Sequence, residues 1–332
     1  MRALVTGAAG FLGYHLARAL LARGDEVVLV DSFVRGEADA AYAELARHPR
    51  AAAFDLDLTD AAAVCRTLPS PAGIDAVFHL AALNGTQNFY ERPLEVLRCS
   101  TLPCFALLDW LATGARPRAT RFVYAGSSES YAATVDRFGW AVPTAEDVPL
   151  CIGDVANPRW SYAVSKLHGE VLTAQGCRAL DLPWTVVRYH NAYGPRMGDK
   201  HVMPDFLARA RDTGRCALYG HEETRSFIYV DDAVAATLAL AAHPGAAGEV
   251  VNVGGAQEVA IADLGRLMMR VCGLDGPLEL HPAPPGSVRR RAPDLAKLRR
   301  LTGFAETVPL EEGIARTAAF YLGRTVAAAP AS

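Results

Sequence analysis

The first thirteen residues constrain the fold more than any other stretch of the chain. A short apolar run, Ala3-Leu4-Val5-Thr6, passes directly into Gly7-Ala8-Ala9-Gly10-Phe11-Leu12-Gly13 and on into a helical pattern through Leu16, Leu20 and Leu21. A strand, a glycine turn and a helix in that order bring backbone amides and a helix N-terminus to one point, with glycines where a side chain would collide with a pyrophosphate or with the sheet. The spacing differs by one residue from the commonest dinucleotide fingerprint, and a tight strand-to-helix turn alone would look the same. Asp31 separates the two readings. It closes the second apolar run, Glu26 to Asp31, about 20 residues further on, where a carboxylate accepts both ribose hydroxyls and repels a 2′-phosphate. These residues predict a dinucleotide site that takes NAD in preference to NADP. Asp57, in Asp55-Leu56-Asp57-Leu58, is placed either to touch the adenine or to serve as an exposed strand-end or helix-capping carboxylate.

Further apolar runs, Ala51 to Asp55, Ala76 to Leu80 and Arg121 to Ala125, alternate with helical stretches. That rhythm predicts an α/β fold, a doubly wound parallel sheet of the Rossmann type with helices on both faces. A long, proline-containing connection runs from Tyr131 to about Asn157, and Asn157-Pro158 opens a helix. After the strand Trp184 to Tyr189 the strict alternation is lost, which predicts a smaller C-terminal α/β substrate-binding domain. The expected division is 1–188 plus about 228–252 for the cofactor domain and about 189–227 plus 253–322 for the substrate domain. The Ala/Pro-rich 323–332 is expected to be a disordered tail. With 332 residues, about half of them apolar, the chain has ample material for such a core.

A net charge of -3 with scattered arginines, the run Arg289-Arg290-Arg291 excepted, points away from nucleic acid or a membrane surface as a partner. Seven cysteines (65, 99, 104, 151, 177, 216 and 272) form no CxxC pair or zinc pattern and fit reduced thiols in the cytoplasm; no metal site is expected. The N-terminus runs straight into a strand, leaving no room for a signal peptide, and no apolar stretch reaches ~18 residues.

Tyr162 and Lys166 lie four apart on the helix that starts near Pro158, so both face the same way. A lysine cation beside a phenol favours phenolate and lets the tyrosine take a hydroxyl proton during hydride transfer. Such a pair also occurs on surface helices. Lysine is scarce in this chain, however, with Lys200 and Lys297 the only others, and Ser127-Ser128 ends the fifth strand where the sheet's carboxyl edge delivers a hydroxyl to the ligand crevice.

With these residues in view, the chain resembles the extended short-chain dehydrogenase/reductase family, in particular its nucleotide-sugar epimerases, dehydratases and decarboxylases. The resemblance runs from Thr6-Gly7 to about Tyr321. Beyond the glycine turn it rests on Phe78-His79-Leu80-Ala81-Ala82, Phe122-Val123-Tyr124-Ala125 followed by Ser127, Ser161-Tyr162-Ala163-Val164-Ser165-Lys166, Arg188-Tyr189-His190-Asn191-Ala192-Tyr193-Gly194-Pro195 and Arg225-Ser226-Phe227-Ile228-Tyr229-Val230-Asp231-Asp232. It implies Ser127 as the hydroxyl that polarises the substrate oxygen, Tyr162 as acid/base, and Lys166 as the residue that binds the nicotinamide ribose and lowers the tyrosine pKa. It implies Asn191 and Arg225 on the diphosphate. Cofactor contacts are expected at Gly7, Gly10, Phe11, Leu12, Asp31, Asp57, Leu58, Leu80, Ala81, Ala82, Tyr162, Lys166 and Tyr189. Substrate contacts are expected at Asn84, Ser128 and Arg290, and a homodimer through helices around Glu95 to Leu111 and Pro158 to Gln175. Two departures stand out. Ser100 replaces the family's usual Asn, with Pro103 expected to kink its helix; Pro284 and Ser287 stand where the family's epimerases offer Arg then Asp, and the triple arginine is the candidate replacement.

Glu129, in Ser127-Ser128-Glu129, resembles the Thr-Ser-Glu of family dehydratases and decarboxylases, where the carboxylate handles a C5 proton after C4 is oxidised. Glucose-type dehydratases resemble Thr-Asp-Glu, and Ser128 lacks that acid. The plain alternative is a Glu129 paired with an arginine or backbone amides. The leading expectation is an NAD-dependent nucleotide-sugar 4-epimerase acting through a transient 4-keto sugar. A 4,6-dehydratase, C5-epimerase or decarboxylase using Glu129 is the alternative, and a net reductase or an NAD-sensing regulator without catalysis stands further off. His79 is expected in the core or cofactor wall, His190 and His201 have no metal partners at helical spacing, and Asp231-Asp232 are expected to serve a helix N-terminus. The stretch Asn84 to Tyr90 suits a sugar and equally an ordinary crevice loop.

Overall fold

The computed structural model describes residues 1–114, 120–199, 201–283 and 288–323. Pro284, Ser287 and the tail from residue 324 lie outside the described residues.

Six strands, β1 (Arg2–Thr6), β2 (Glu26–Asp31), β3 (Ala51–Asp55), β4 (Ala76–His79), β5 (Arg121–Ser127) and β6 (Trp184–Tyr189), and a seventh, Glu249–Val253, form one sheet. Every pairing is parallel, and the order is seventh-β6-β5-β4-β1-β2-β3. β1 and β2 have four and five buried residues in succession, the pattern of strands covered on both faces. The order reverses between β1 and β4, so the crevice for a ligand opens at their carboxyl ends. Thr6 holds that point together: its Oγ1 accepts from the amides of Leu80 and Ala81, each at 3.1 Å, and lies 2.8 Å from His79 Nδ1.

β5 extends two residues beyond the predicted Ala125. Gly126 and Ser127 pair with Arg188 and Tyr189 of β6, which carries the Ser127 hydroxyl out to the crevice edge. The connection after Tyr131 is less irregular than its prolines suggest: Ser128–Tyr131 forms a 3₁₀ turn, and Ala132–Phe138 a two-turn helix ended by the left-handed Gly139. Asn157 stays outside the next helix, Trp160–Ala179, and accepts the Arg159 amide at 3.0 Å. That helix packs along Pro93–Ala112, a single helical run with Pro103 inside it.

The second half adds helices Val202–Thr213, Ile261–Cys272 and Leu310–Leu322, a parallel strand pair (Cys216–Tyr219 with Leu278–His281) and a small sheet of Glu258–Ala260, Thr224–Ser226 and Arg290–Arg291. Asp232, in the first turn of the helix Val230–Ala242, accepts from the amides of Thr307 and Val308, and Asp231 pairs with Arg18 and Arg316, so both carboxylates are structural. No helix among the described residues is long and apolar enough to cross a membrane.

Candidate active site

The glycine turn is a surface of bare backbone. Gly7 has φ +70°, and a Cβ there would stand 3.0 Å from the Ala81 amide; at Gly13 a Cβ would collide with the Gly7 carbonyl oxygen. The helix Phe11–Ala22 starts at Gly10 with no side-chain cap and no acid in its first turn, so its leading amides, those of Phe11 and Leu12 among them, are left for an anion. Asp31 at the end of β2 is buried, and its two oxygens accept the Ala9 amide at 2.9 Å and the Phe33 amide at 2.8 Å. It therefore shapes the turn as well as facing it, with lone pairs to spare for ribose hydroxyls. Asp57 is exposed and closes a turn on the Thr59 amide at 2.8 Å, with Leu58 buried beside it. Leu80, Ala81 and Ala82 are half-buried beyond β4. The Tyr189 hydroxyl is 2.7 Å from Thr237 Oγ1, and burial raises its pKa to about 12. His79 is a core group, lowered to about 3 by burial and then by Lys166.

Tyr162 is buried and stacks on Phe89, with centroids 5.0 Å apart. Burial raises its pKa; Arg35 and a hydrogen bond to Ser127 act against this, and Glu129 adds to it. Lys166 Nζ donates to the Ala125 carbonyl at 2.7 Å and lies 5.6 Å from the Tyr162 ring centroid. Burial lowers Lys166 to about 8, against the raising effect of Cys104 and Glu170. Ser127 Oγ also accepts the Glu129 amide at 3.2 Å, which starts the 3₁₀ turn. The sequence-predicted Ser127, Tyr162 and Lys166 thus converge at the ends of β5 and the helix Trp160–Ala179.

Glu129 is pinned. One oxygen lies 3.1 Å from Arg159 Nη1 and the other 2.9 Å from Arg291 Nη1. Burial would raise its pKa, but Arg291 and Arg159 outweigh it and hold the carboxyl at about 2. Ser128, fully buried, lines a small cavity with Tyr131, His190 and Arg291. Arg225 lies close by, ion-paired to Glu223 at 2.6 Å and lowered to about 10 by burial and then by Arg291. Asn191, in the left-handed region at φ 41°, donates to the Ser226 carbonyl at 2.8 Å and so anchors the strand that carries Arg225. Asn84 is turned on its own loop, accepting the Gly85 amide at 2.6 Å. Arg290 lines the same cavity as Ser128, and its guanidinium forks onto Glu258 at 2.9 and 2.7 Å. Arg290 and Arg291 are consecutive in a two-residue strand, and their guanidiniums pair with different carboxylates, Glu258 and Glu129.

The sequence model of the NAD dependent epimerase/dehydratase family matches residues 3–254. The chain belongs to that family. Its cofactor is NAD, in keeping with the uncapped helix and the bare glycine turn. Among relatives of this epimerase/dehydratase chain, a UDP-N-acetyl-alpha-D-glucosaminuronate decarboxylase of Bacillus cytotoxicus is 30% identical over 326 residues, 95% of this chain and 96% of that protein. A UDP-glucose 4-epimerase of Mycolicibacterium smegmatis is 31% identical over 340 residues, covering 98% of this chain and all of the other. The crystal structure of a UDP-glucose 4-epimerase from Thermotoga maritima superposes with a TM-score of 0.84 at 26% identity, covering 97% of this chain and 99% of that one.

Two residues at the site escaped sequence reasoning. Arg159 follows Pro158 in what reads as a helix opening and gives no signal of its own. Arg35 stands along the crevice near Tyr162 and Asp199, exposed yet flanked by enough protein for burial to lower its pKa. Gly36, next to it, packs against Ala9 of the glycine turn.

Proposed function

We propose that this member of the family is a nucleotide-sugar 4-epimerase that works through a transient 4-keto sugar. In this reading the crevice at β1 and β4 holds the dinucleotide, with the 1–188 plus 228–252 part as its domain, and residues 189–227 plus 253–322 hold the nucleotide sugar. Held by the Gly7–Gly13 turn and Asp31, NAD would supply the hydride acceptor and donor for C4. Tyr162 accepts the C4 hydroxyl proton and gives it back; Ser127 donates a hydrogen bond to the C4 oxygen. Lys166 supplies the positive charge that favours phenolate and orients the cofactor ribose. Asn191 and Arg225 serve the diphosphate.

The observation that carries this choice is the state of Glu129. Elimination of water or inversion at C5 needs a base there, and a carboxylate held at about 2 by two guanidiniums is a weak one. Epimerisation at C4 asks nothing of it. A second reading, decarboxylation of a nucleotide-linked sugar acid, is favoured by the same two arginines, which present cationic groups beside Glu129, and by the Bacillus cytotoxicus relative. The complete Ser127, Tyr162 and Lys166 set speaks against a regulator without catalysis. Incubating the purified protein and NAD with UDP- and dTDP-linked hexoses and hexuronates separates these readings. An epimer of unchanged mass supports the first; loss of carbon dioxide or of water overturns it.

We further read the protein as a cytoplasmic homodimer. All seven cysteines are free thiols, and Leu94, Leu102, Phe105 and Val171 are exposed on the paired helices Pro93–Ala112 and Trp160–Ala179. Light scattering at micromolar concentration should give twice the chain mass; a monomer contradicts the pairing.

A further inference from the structure

Of the titratable groups on the elements packed around Lys166, those shown to act on it from β4, β5 and the helix Pro93–Ala112 are without charge at neutral pH. From β4 comes His79, lowered by burial to about 3 and so neutral. From the helix Pro93–Ala112 comes Cys104, raised by burial to about 12, and from β5 comes Tyr124, also raised by burial; neither ionises. On its own helix stands Tyr162, a buried phenol. The 3₁₀ turn Ser128–Tyr131 offers Glu129, taken up by Arg159 and Arg291, and Tyr131, another phenol raised by burial. The helix Thr86–Glu91 offers Glu91, which is exposed and accepts from Gln87 at 2.8 Å. β6 offers Arg188.

What remains is Glu170, one helical turn beyond Lys166 and buried. Arg188 forks onto it, Nε to Oε1 at 2.9 Å and Nη2 to Oε2 at 2.6 Å, and Ser130 Oγ donates to Oε1 at 3.3 Å. Its Oε1 lies 3.1 Å from where a Gly126 side chain would begin, directly beside the Ala125 carbonyl that receives Lys166. Arg188 also donates to the Tyr131 hydroxyl at 2.7 Å and to the Glu146 carbonyl at 3.0 Å, and the Tyr131 hydroxyl donates to Asn252 Oδ1 at 2.7 Å. The carboxylate is therefore held by Arg188 of β6 and Ser130 of the 3₁₀ turn, and Arg188 is itself tied through Tyr131 to Asn252 of the seventh strand.

We propose that Glu170 is a positioning residue for the acid/base pair: locked by Arg188 beneath Gly126, its carboxylate keeps the Lys166 ammonium charged and seated on the Ala125 carbonyl. The inference rests on reading Tyr162 and Lys166 as that pair. The sign follows from electrostatics: burial disfavours the ammonium, and a buried anion one turn away favours it. A neutral Lys166 would no longer favour phenolate at Tyr162.

The test is a direct titration of Lys166 in the full protein. The chain has three lysines, so isotope-labelled lysine gives three resonances, and Lys166→Arg assigns the one of interest. In Glu170→Gln the Lys166 midpoint should fall by about one pH unit or more, about a tenfold rise in its acid dissociation constant. That variant leaves Arg188 unpaired in the interior and is at risk of misfolding, so Glu170→Gln/Arg188→Met, which removes both charges, provides the second arm. It should show a smaller fall in the same direction. With a nucleotide-sugar substrate, the alkaline limb of turnover should move down by the same amount, and the move should vanish in a Lys166→Arg background. An unchanged Lys166 midpoint in a folded variant overturns the proposal. Because the titration needs no substrate, a shifted midpoint in a protein that turns over no nucleotide sugar would refute the assigned function and leave the role of Glu170 standing.

Discussion

On the glycine-turn side of the crevice the surface is made of backbone, whereas on the side of Glu129 it is made of charged side chains. Gly7, Gly10 and the uncapped first turn of the helix Phe11–Ala22 present amides, and the one carboxylate there, Asp31, is bonded to amides as well. Across the crevice, Glu129, Arg159, Arg291, Arg225 and Glu223 hold one another in ion pairs. The difference teaches where sensitivity to pH and to substitution should lie. A backbone cradle is positioned by the sheet; a side-chain cradle depends on its charge balance, so substitution there is expected to tell on stability and its pH dependence before it tells on turnover.

The largest effect is expected where the two walls meet. Tyr162→Phe removes the oxygen proposed to exchange the substrate proton, and should cut the rate of NAD reduction by roughly 10²–10⁴-fold while leaving NAD affinity near that of the wild type. Stopped-flow absorbance of NADH alongside calorimetric NAD titration measures both. A variant that kept most of its rate would remove Tyr162 from the chemistry.

Next in size is Asp31→Ala on the backbone wall. Loss of a charged acceptor at the ribose should weaken NAD binding about tenfold or more and narrow its preference over NADP. Equal affinities for NAD and NADP in the wild type would contradict the role of Asp31.

Acid should sharpen the contrast between the walls. His190, which lines the cavity with Ser128 and Arg291, is lowered to about 3, chiefly by burial, from an ordinary 6.5. Its folded pKa lies below the unfolded one, so the unfolded chain takes up the proton first. Stability is therefore full above pH 6.5 and declines as pH falls towards 3. Glu129 adds a decline in the same direction lower down, from 4.5 towards about 2. Melting temperatures over this range should fall less steeply for His190→Gln than for the wild type; parallel curves would show that His190 does not contribute.

How much of this was legible in the sequence follows the same division. The positions of Asp31 and Gly7 and the parallel sheet were readable because strand ends follow from apolar runs and glycines. The pairing of Glu129 was anticipated only as an alternative to catalysis. Its partners come from residues 30 and 162 positions away in the chain, a distance at which no local spacing rule operates. Within the triple arginine the sequence could not assign partners; the two-residue strand against Thr224 and Arg225 does so, with Arg290 on Glu258 and Arg291 on Glu129. The helix Ala132–Phe138 was hidden by the prolines that follow it, although Gly139 marks its end.

The smallest expected effect bears on the central claim, that Glu129 is held as an ion-pair partner while C4 alone is oxidised and reduced. Glu129→Gln should slow turnover by less than about tenfold, against roughly 100-fold or more for a lost general base. The direct measurement is the wild-type reaction in deuterated water, with the product read by NMR and mass. The account predicts a C4 epimer of unchanged mass with hydrogen retained at C5. Deuterium at C5, or a product lighter by water or carbon dioxide, would contradict it.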